Sequence, residues 1–262
     1  MDISAAKPLV DSIFGQVQAG SVLSYQQPPA SSENCVINHQ DAPPFPQIPL
    51  EGYQLAPTDC TFVPTEQEQL HLRSLCVNLS ESHKIEEETR GQSAAPVWHS
   101  LRKERVTAST FREICHVRGP SSVESLAQRI IRGTRQTTLM KRGLDLETGA
   151  LKDYATLKNT NLRRCGLVVH PDAPWLGASP DGLVYDPLER PSYGLVEIKC
   201  PNAQSYIDCK YLRVDELGTH KLKESHSYYW QVQGQLLITG MEWCDFVVCA
   251  LDDMFVQRVH RD

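Results

Sequence analysis

Two short segments in the second half of the chain combine carboxylates with a lysine. Asp181 lies in the segment GASPDG, and Glu197 and Lys199 lie in the segment LVEIKCP. Because strand side chains alternate between faces, Glu197 and Lys199 point the same way while Val196 and Ile198 point into the core. With Asp181 on the adjacent strand, two carboxylates and one ammonium suit Mg²⁺, which prefers protein, water and phosphate oxygens. The pattern indicates metal-assisted hydrolysis of phosphodiester bonds.

The spacing of these residues also has a simpler interpretation. An acid upstream of Glu-x-Lys is common in exposed hairpins, and Asp208-Cys209-Lys210 looks similar by chance. Charged side chains within an apolar strand are costly unless they are paired or bind an ion. Spacing and context alone therefore leave a metal site and a structural ion pair as equal alternatives.

Four separated segments, between about residues 96 and 260, carry a resemblance to a known family. They match W-x-x-x-R with I-T-A-S, G-x-x-x-E-x-x-A, S-P-D-G with E-I-K-C-P, and Y-x-Q-V-Q. The matching residues are Trp98-His99-Ser100-Leu101-Arg102, Val106-Thr107-Ala108-Ser109, Gly143 with Glu147 and Ala150, the Asp181 and Glu197 segments, and Tyr228-Tyr229-Trp230-Gln231-Val232-Gln233. In this order they resemble the PD-(D/E)XK nuclease core and, more closely, the YqaJ-type viral recombinase and lambda-exonuclease-like family.

The resemblance implies a fold and a metal site. The fold is α/β and restriction-endonuclease-like, with a central mixed β-sheet flanked by helices, preceded here by a Pro-rich N-terminal extension. In the metal site, Asp181, Glu197 and the carbonyl of Ile198 bind Mg²⁺, with Mn²⁺ as a substitute. Glu147 completes the site from a helix, directly or through water. Without the resemblance, Glu147 would be taken for an exposed helix glutamate.

The resemblance also implies two groups that act on water and phosphate. Lys199 lies beside the attacking water, which it orients or deprotonates, and it offsets the charge that builds on the phosphorane. Gln231 shares a helix face with Tyr228 and Gln235. It is implied to accept a hydrogen bond from Lys199 and to donate one to a water or phosphate, although a helix-surface amide is the commoner role of a lone glutamine.

Arg102, Ser109 and Ser179 resemble the residues that hold a terminal 5′ phosphate in this family. A guanidinium gives bidentate contact to phosphate, and hydroxyls near a helix start add donors. Both serines would serve equally as helix-cap and turn residues. Ser205 stands where the family's phage exonucleases carry an arginine, so the resemblance supports 5′-end recognition less firmly than metal chemistry. Those enzymes also continue into a helical segment beyond the position of Asp262.

The net charge of −6 is unevenly distributed. Residues 1–98 carry four basic and twelve acidic side chains, whereas residues 99–142 carry ten basic and three acidic ones. The ten are Arg102, Lys103, Arg105, Arg112, Arg118, Arg129, Arg132, Arg135, Lys141 and Arg142. A local basic excess suits the neutralisation of DNA phosphates, and a solvated helix face is the alternative.

Cysteine and hydropathy patterns bound the class of protein. The nine cysteines have no C-x-x-C spacing, which favours reduced, mostly buried thiols over a disulfide framework or zinc finger. No apolar run approaches the roughly 18 residues of a membrane span, and the N-terminus lacks a signal pattern. We therefore expect a soluble intracellular protein with no membrane partner, nuclear rather than cytoplasmic if the host is eukaryotic.

Composition divides the chain near residues 65 and 95. Nine of the seventeen prolines precede residue 65, which predicts an extended or disordered lead-in over residues 1–64. Helical spacing after Thr65, a capping-type residue, predicts a helix to about Arg90 within a helical linker over residues 65–95. The nuclease-like domain is expected over residues 96–262. The sequence does not identify a protein partner for the N-terminal segment.

Within this domain, hydrophobic spacing predicts alternating helices and strands. Thr107 or Ser109 should cap one helix, and Ser121 or Ser122 the next. Further helices are expected over residues 138–158, 202–213 and 225–240, and strands near residues 165–170, 182–186, 193–200, 244–251 and 254–260.

Together with the resemblance, these features predict a Mg²⁺-dependent deoxyribonuclease, an exonuclease acting 5′ to 3′ on duplex DNA ends in recombination or repair-type processing. DNA is the expected partner, the family's ring-shaped trimers raise the expectation of a homo-oligomer, and the Pro-rich acidic lead-in points to capture from a virus or mobile element. The alternatives are a catalytically silent DNA-end-binding module on the same fold and a structure-specific endonuclease. The joint presence of Glu147, Asp181, Glu197, Lys199 and Gln231 argues against a decayed site.

Overall fold

The structure, a computed structural model, describes residues 35–57, 63–133 and 138–262, together with the backbone of two short strands near the N-terminus. The chain forms two compact units, residues 1–34 and residues 35–262. The first unit contains the antiparallel strands β1 (Leu9–Ser12) and β2 (Gly15–Gln18). The second unit contains the other elements.

The strands of the second unit are β3 (Cys35–Val36), β4 (Val106–Thr107), β5 (Asn161–Arg164), β6 (Val168–His170), β7 (Ala173–Ala178), β8 (Gly182–Tyr185), β9 (Tyr193–Lys199), β10 (Leu212–Val214), β11 (His220–Leu222), β12 (Trp243–Cys249) and β13 (Met254–His260). The α-helices are α1 (Glu66–Leu75), α2 (Leu79–Glu88), α3 (Pro96–Lys103), α4 (Phe111–His116), α5 (Pro120–Arg132), α6 (Thr138–Lys158) and α7 (Ser227–Thr239). Short 3₁₀ helices lie at Gln92–Ala94, Ala108–Thr110 and Tyr206–Asp208.

The central sheet has the strand order β13-β12-β9-β8-β5-β3. Strands β9 and β12 are parallel, and the other neighbouring pairs are antiparallel. Parallel neighbours need a crossover connection, which here contains α7. A smaller sheet has the order β4-β7-β6. The predicted α/β fold, with a central mixed sheet flanked by helices, is confirmed.

Hydrophobic clusters cover both faces of β9. Leu195 packs in one cluster with Leu236 of α7, and Val196 packs in the other with Tyr154 of α6. Because both faces are buried, β9 is a nearly continuous apolar run, and Glu197 is an exception that needs partners. The two helices therefore enclose the strand that carries Glu197 and Lys199.

Residues 35–57 run along the second unit with little regular structure except β3. Ile48 is fully buried, and the backbone N–H of Leu50 donates to the Thr239 carbonyl at 3.0 Å. Asn38 Nδ2 donates to the Thr160 carbonyl at 2.8 Å. This part of the predicted lead-in therefore packs on the same core as the nuclease-like segment, while the predicted domain limits at residues 64 and 95 stay predictions.

The prediction of one helix from Thr65 to about Arg90 is wrong. Thr65 does cap α1, through a capping box with Glu68. The helix then ends, and Asn78 begins α2 through a second capping box with Glu81. The Asn78 side chain accepts from the backbone N–H of Glu81 at 2.9 Å, an interaction that favours a new helix start over continuation of the first helix.

The predicted side-chain caps of α4 and α5 are not formed. Thr107 is the N-cap residue of the 3₁₀ turn at residues 108–110 that leads into α4, whose own N-cap residue is Thr110, and neither makes a side-chain cap bond. The N-cap residue of α5 is Gly119, so Ser121 and Ser122 lie inside the helix. Pro120 at the first helical position starts α5 instead, because its missing N–H and fixed φ suit that position.

The predicted helix over residues 202–213 is wrong. The segment contains the short 3₁₀ helix Tyr206–Asp208 and then leads into the antiparallel hairpin of β10 and β11. The Ser205 hydroxyl accepts from the Ile207 N–H at 3.2 Å and donates to Asp253 at 2.5 Å. The Asp215 carboxylate accepts from two backbone N–H groups in the hairpin turn. These side-chain bonds to the backbone compete with a helix.

The remaining predicted elements agree more closely with the structure. The strand expected at residues 165–170 corresponds to the shorter β6, and no prediction covers β5 or β7. The other expected strands correspond to β8, β9, β12 and β13. The helices expected at residues 138–158 and 225–240 are α6 and α7. No helix in the described part of the chain is long and apolar enough to cross a membrane. The described cysteines are free thiols, but only Cys165, Cys209 and Cys244 are buried, so the expectation of mostly buried thiols is wrong.

Candidate active site

Asp181 lies just before β8, where the SPDG turn enters the central sheet. Its Oδ2 accepts a hydrogen bond from the Ile198 N–H at 2.6 Å, and its own N–H donates to the Val196 carbonyl at 3.1 Å. The next residue packs closely, because a Cβ at Gly182 would lie 3.0 Å from the carbonyl oxygen of Arg163. These contacts fix the Asp181 carboxylate against β9.

Glu197 is 2% exposed, and both of its carboxylate oxygens have partners. Oε1 accepts from Lys199 Nζ at 2.5 Å and from Gln231 Nε2 at 2.6 Å. Oε2 accepts from Gln235 Nε2 at 2.7 Å. Strand alternation places Lys199 beside Glu197, and the crossover helix α7 places two glutamines one turn apart above both. The structure therefore brings Glu197, Lys199 and Gln231 together.

The Lys199 ammonium lies between the carboxylates and an aromatic ring. Its Nζ is 3.5 Å from Gln231 Oε1 and 4.7 Å from the centre of the Tyr228 ring. Burial opposes the charged form, but the Glu197 and Asp181 carboxylates outweigh it, so the pKa of Lys199 is raised. In the metal-free protein this raised pKa favours the protonated amine, which can donate to a water or to a phosphate oxygen.

Glu147 reaches the site from α6 and is paired with an arginine of β5. Its Oε1 accepts from Arg164 Nη2 at 2.5 Å, and Arg164 Nη1 donates to Thr148 Oγ1 at 3.2 Å. Burial raises the pKa of Glu147, and Arg164 lowers it in part. Glu197 and Lys199 also act on this pKa, which places all three charges in one electrostatic neighbourhood.

Burial and mutual repulsion dominate the electrostatics of the carboxylates. Burial raises the pKa of Asp181 well above its usual value, and the negative charges of Glu197 and Glu147 raise it further. Lys199 and the hydrogen bond from Ile198 offset only part of this effect. The protein's own cations thus leave negative charge uncompensated at this position, where a bound cation would be favourable.

The predicted phosphate-binding residues lie beside this cluster. Arg102 Nη1 and Trp98 Nε1 each donate to Ser179 Oγ at 3.1 Å, and the Arg102 guanidinium lies 4.2 Å from the centre of the Trp98 ring. Burial lowers the pKa of Arg102 to about 10, with Glu197 acting in the opposite direction. Ser179 is two residues before Asp181, so the SPDG turn couples the arginine to the metal-site carboxylate.

Ser109 and Arg102 line a common cavity of about 840 Å³ on the α3 and α5 side of the cluster. Ser109 Oγ lies 3.1 Å from Thr107 Oγ1. The cavity is also lined by Lys103, Arg129 and Arg132, three members of the basic block noted in the sequence. Ser205, in contrast, is bonded to Asp253 and does not line this cavity.

Sequence reasoning missed three residues that hold this arrangement together. Gln235 donates to Glu197, and its spacing of four residues from Gln231 on α7 was an available signal. Arg164 pairs with Glu147. Gln92 donates to the carbonyl of Pro180, and nothing in the local sequence indicated this contact.

The chemistry of the donor set fits a hard divalent cation. Asp181, Glu197 and the Ile198 carbonyl offer oxygen ligands in a region where carboxylates repel one another. Among the described residues, no group of three or more His, Cys, Asp or Glu side chains lies together as a metal site. A site with two carboxylates leaves room for waters and phosphate oxygens, as Mg²⁺ prefers, and lacks the ligands of a closed zinc site. The residues therefore fit Mg²⁺ or Mn²⁺, and their catalytic roles stay predictions.

Comparison with known proteins gives two relatives from viruses. The uncharacterized protein R354 of Acanthamoeba polyphaga mimivirus is 30% identical over 105 residues, which are 38% of this chain and 18% of the relative. The alkaline nuclease of human herpesvirus 6A is 28% identical over 148 residues, which are 55% of this chain and 29% of the relative. The matches thus span less than a third of the length of either relative.

A solved structure and a family model also match this chain. The alkaline exonuclease LHK-Exo from Laribacter hongkongensis, in complex with dAMP, is 31% identical with a TM-score of 0.50, and the match covers 63% of this chain and 82% of that one. The model of the YqaJ-like viral recombinase domain matches residues 97–242, which are more than half of the chain. This range contains every site residue described above except Gln92. The chain therefore belongs to the YqaJ-like viral recombinase domain family.

Proposed function

We propose that the chain is a divalent-metal-dependent deoxyribonuclease, a hydrolase of phosphodiester bonds that acts as an exonuclease on duplex DNA ends. One observation carries the proposal. The Asp181 carboxylate, held by the Ile198 N–H at 2.6 Å, lies in the same buried charge cluster as Glu197, which is bonded to Lys199 and Gln231. Oxygen ligands for a metal and a protonated amine for the phosphate are thus adjacent.

The relatives support this class of reaction. Two of them are called nucleases, the herpesvirus alkaline nuclease and the bacterial alkaline exonuclease LHK-Exo. The LHK-Exo structure contains dAMP, a mononucleotide of the kind that an exonuclease releases. The match to LHK-Exo covers most of that chain, so the comparison supports a similar activity for the nuclease-like segment here.

Each residue of the cluster has a proposed task. Asp181, Glu197 and the Ile198 carbonyl would hold Mg²⁺ or Mn²⁺, with Glu147 contributing directly or through water. A divalent cation held there would supply Lewis-acid chemistry for the attacking water and the leaving 3′ oxygen. Lys199 orients or deprotonates the water and offsets charge on the phosphorane.

Gln231 is well placed to couple two parts of the site. Its Oε1 is 3.5 Å from Lys199 Nζ, and its Nε2 donates to Glu197 at 2.6 Å. When a metal draws on the Glu197 oxygens, the same amide can donate to a water or to a phosphate oxygen. Gln231 is therefore proposed to orient groups in the site rather than to transfer protons.

The pair of Arg102 and Ser179 is proposed to bind the 5′ phosphate of the strand that is cut. A guanidinium that keeps donors free for an anion gives strong, bidentate phosphate contact. Because Ser179 lies two residues before Asp181, a phosphate held there places the next phosphodiester bond near the metal ligands. Ser109, in the same cavity, adds a hydroxyl donor. This arrangement favours 5′-to-3′ removal of nucleotides.

Two specific observations favour the alternatives. Three protein donors already bond the Glu197 oxygens, so a metal must compete with them. If the metal does not displace these donors, the site binds DNA ends without hydrolysing them, as in the catalytically silent module. The Ser205 hydroxyl is bonded to Asp253 and does not provide a further phosphate contact. Recognition of a 5′ end then has one contact fewer, which favours a structure-specific endonuclease.

Degradation of an end-labelled linear duplex and of a closed circular duplex tests the proposal. The purified chain is incubated with Mg²⁺, with Mn²⁺ or with EDTA, and compared with Glu197→Gln, which keeps the size of the side chain but removes the charge. Glu242→Gln is the matched control, since Glu242 pairs with Arg261 at the surface, away from the cluster. Removing a metal ligand should lower the rate by orders of magnitude.

The outcomes separate the three functions. Metal-dependent release of mononucleotides from the linear duplex, lost in Glu197→Gln and retained in Glu242→Gln, supports the exonuclease, and early loss of a 5′ label supports its polarity. Cutting of the circular duplex supports the endonuclease instead. Binding of DNA ends without hydrolysis in either metal supports the silent module.

The setting of this activity is proposed from composition and from the viral relatives. The acidic, Pro-rich first third and the viral relatives motivate an origin in a virus or mobile element, with recombination or repair-type processing as the host process. Finding expressed copies only within intact viral genomes would count against capture by a larger genome. A homo-oligomer is proposed from the resemblance alone, and a monomeric mass by light scattering of the active chain would exclude it.

A further inference from the structure

A second cavity, of about 510 Å³, lies on the Lys199 side of the carboxylates. It is lined by Arg142 and Glu147 of α6, by Lys199 and Asn202 at and after the end of β9, and by Tyr211 and Tyr228. Its volume falls within the range of small-molecule sites and accommodates a nucleotide. Glu147 and Lys199 belong to the proposed catalytic cluster, whereas Arg142, Asn202 and Tyr211 have had no role so far.

The two cavities are neighbours. Leu144 lines both, while Arg102 lines only the larger, and Glu147, Ile198 and Lys199 line only the smaller. A DNA strand whose 5′ phosphate is held by Arg102 and whose next phosphate meets the metal ligands would enter the smaller cavity. The nucleotide there is the one that follows the cleaved bond.

Arg142 has little to bind within the described part of the protein. Its one hydrogen bond, from Nη1 to the Pro201 carbonyl, is 3.4 Å long, near the outer limit for such a bond. No carboxylate among the described residues forms an ion pair with it. A guanidinium has five donors, so most donors of the half-buried Arg142 are free to bind an anion.

Two aromatic residues also line this cavity. The Tyr211 and Tyr228 rings are 5.0 Å apart in an edge-to-face arrangement, and Tyr228 also packs against Lys199. Aromatic walls accept any base or sugar without reading its edge, whereas phosphate contacts fix the position of a strand. A nuclease that degrades any sequence needs this combination of contacts.

We propose that this cavity is the subsite for the second nucleotide of the cut strand, and that Arg142 binds the phosphate that joins the second nucleotide to the third. The inference rests on the proposed function, because it takes the strand path from the phosphate held at Arg102. Arg142 then completes a row of three cations, with Arg102 before the cleaved bond, Lys199 at it and Arg142 beyond it.

A chemically modified substrate tests this contact directly. The substrate is a 5′-phosphorylated duplex in which a neutral methylphosphonate replaces the phosphate between the second and third nucleotides of the cut strand. Release of the first nucleotide is measured in single-turnover reactions with Mg²⁺, for the wild-type chain and for Arg142→Gln. Arg190→Gln is the matched control, because Arg190 lies in the turn before β9, at the opposite end of that strand from Lys199.

The expected result is a loss that is not additive. Arg142→Gln lowers the single-turnover rate constant at subsaturating enzyme at least about tenfold on unmodified DNA, as the loss of a charged hydrogen bond does. The methylphosphonate lowers the wild-type value by a similar factor, and Arg142→Gln loses little more on the modified substrate. A methylphosphonate farther along the strand, and Arg190→Gln, leave the pattern of the wild type.

Two results would overturn the inference while leaving the nuclease proposal intact. One is an Arg142→Gln variant as active as the wild type, and the other is multiplication of the two losses, which would mean that arginine and phosphate act independently. If the wild-type chain releases no nucleotide, the nuclease proposal fails, and binding decides the subsite. Arg142→Gln should then weaken binding of the unmodified duplex about tenfold and leave binding of the modified duplex unchanged, and equal losses would exclude the contact.

Discussion

Gln92 and Pro180 are joined by a hydrogen bond of 2.9 Å, from the Gln92 side-chain amide to the Pro180 carbonyl. The same amide donates to the Cys165 carbonyl at 3.0 Å. Pro180 immediately precedes Asp181, so Gln92 anchors the turn that presents both Ser179 and Asp181. Gln92 is buried and has a φ of +46°, a conformation that is rare outside glycine. It also precedes the segment matched by the family model.

We predict that Gln92→Leu weakens metal binding at the site. The variant has an apolar side chain of similar size and leaves the carbonyls of Pro180 and Cys165 without their donor, so the turn before Asp181 loses its anchor. Loss of a residue that orients a metal ligand typically costs about tenfold or more in metal affinity. The measurement is the Mg²⁺ concentration needed for half-maximal nuclease activity, together with Mn²⁺ binding by calorimetry.

Gln257→Leu is the matched control for this prediction. Gln257 is a strand residue whose Oε1 accepts from the Leu222 N–H at 2.7 Å, so its replacement also removes a hydrogen bond to the backbone. Both variants should lower the melting temperature, and only Gln92→Leu should change the metal dependence. An unchanged Mn²⁺ affinity in Gln92→Leu would restrict Gln92 to a purely structural role.

The parts of the site that the sequence predicted are local. Alternation along β9 is enough to place Glu197 and Lys199 on one face, and the glycine-bounded turn is enough to bring Asp181 to the neighbouring strand. Helical spacing likewise places Gln231 and Gln235 one turn apart. The geometry of these residues follows from short-range rules, although their roles in catalysis stay predictions.

The parts that the sequence did not predict depend on long-range contacts, or on side-chain hydrogen bonds that compete with helix formation. The two hydrogen bonds of the Gln92 amide join residues separated by 73 and 88 positions, which no local pattern encodes. Residues 202–213 have helical spacing, yet the bond between Ser205 and Asp253 and the turn at Asp215 favour other structures. Tertiary contacts and turn chemistry prevail there over helix propensity.

Arg102→Gln is predicted to remove the preference for phosphorylated ends. Arg102 already contacts Ser179 and Trp98, and the variant retains an amide of similar reach but no charge. The rate on 5′-phosphorylated duplex should fall about tenfold or more, while the slower rate on 5′-hydroxyl duplex changes little. Arg102→Lys should recover only part of the loss, because an ammonium does not give bidentate contact.

The comparison of 5′-phosphorylated with 5′-hydroxyl duplex provides the control for this prediction. A general defect in folding or catalysis lowers both rates by the same factor, whereas loss of a phosphate contact lowers one of them. Equal losses on the two duplexes would assign Arg102 to the structure of the SPDG turn and would remove the support for 5′-to-3′ polarity.

The carboxylate cluster predicts opposite effects of pH with and without metal. In the metal-free protein, burial and repulsion raise the pKa of Asp181 and of Glu147 above their values in the unfolded chain. The folded state therefore binds these protons more tightly than the unfolded chain does. The contribution of the two carboxyl groups to the free energy of unfolding is fully present below their ordinary pKa, and it is lost as pH rises through the raised pKa values. A bound divalent cation replaces the protons, so its stabilising effect grows with pH.

Thermal unfolding with EDTA and with Mg²⁺, from mildly acidic to mildly alkaline pH, measures both effects. The melting temperature in EDTA should decline with rising pH, and the increase produced by Mg²⁺ should become larger over the same range. Asp181→Asn cannot ionise at this position, so both dependences should be reduced. A Mg²⁺ effect that is independent of pH would mean that the cation binds elsewhere.

Two glycine variants test the close contact between Gly194 of β9 and the Trp243 ring of β12. A Cβ at Gly194 would collide with the Trp243 ring, which is fully buried. That ring cannot move away easily, because the Arg258 guanidinium lies 3.7 Å from its centre and its Nε1 donates to the Pro191 carbonyl at 2.8 Å. Gly194→Ala should therefore lower the free energy of unfolding by about 3 kcal/mol, as overpacking does.

Gly149→Ala should have the opposite effect. Gly149 lies in the interior of α6, and a Cβ there meets nothing within 4 Å, so the substitution gains the helix propensity of alanine, up to about 1 kcal/mol. Urea unfolding of the two variants measures both free energies against the wild type. Because both changes add one methyl group to the same unit, opposite signs isolate the contact with Trp243. A neutral Gly194→Ala would show that β9 and β12 can separate locally at this point.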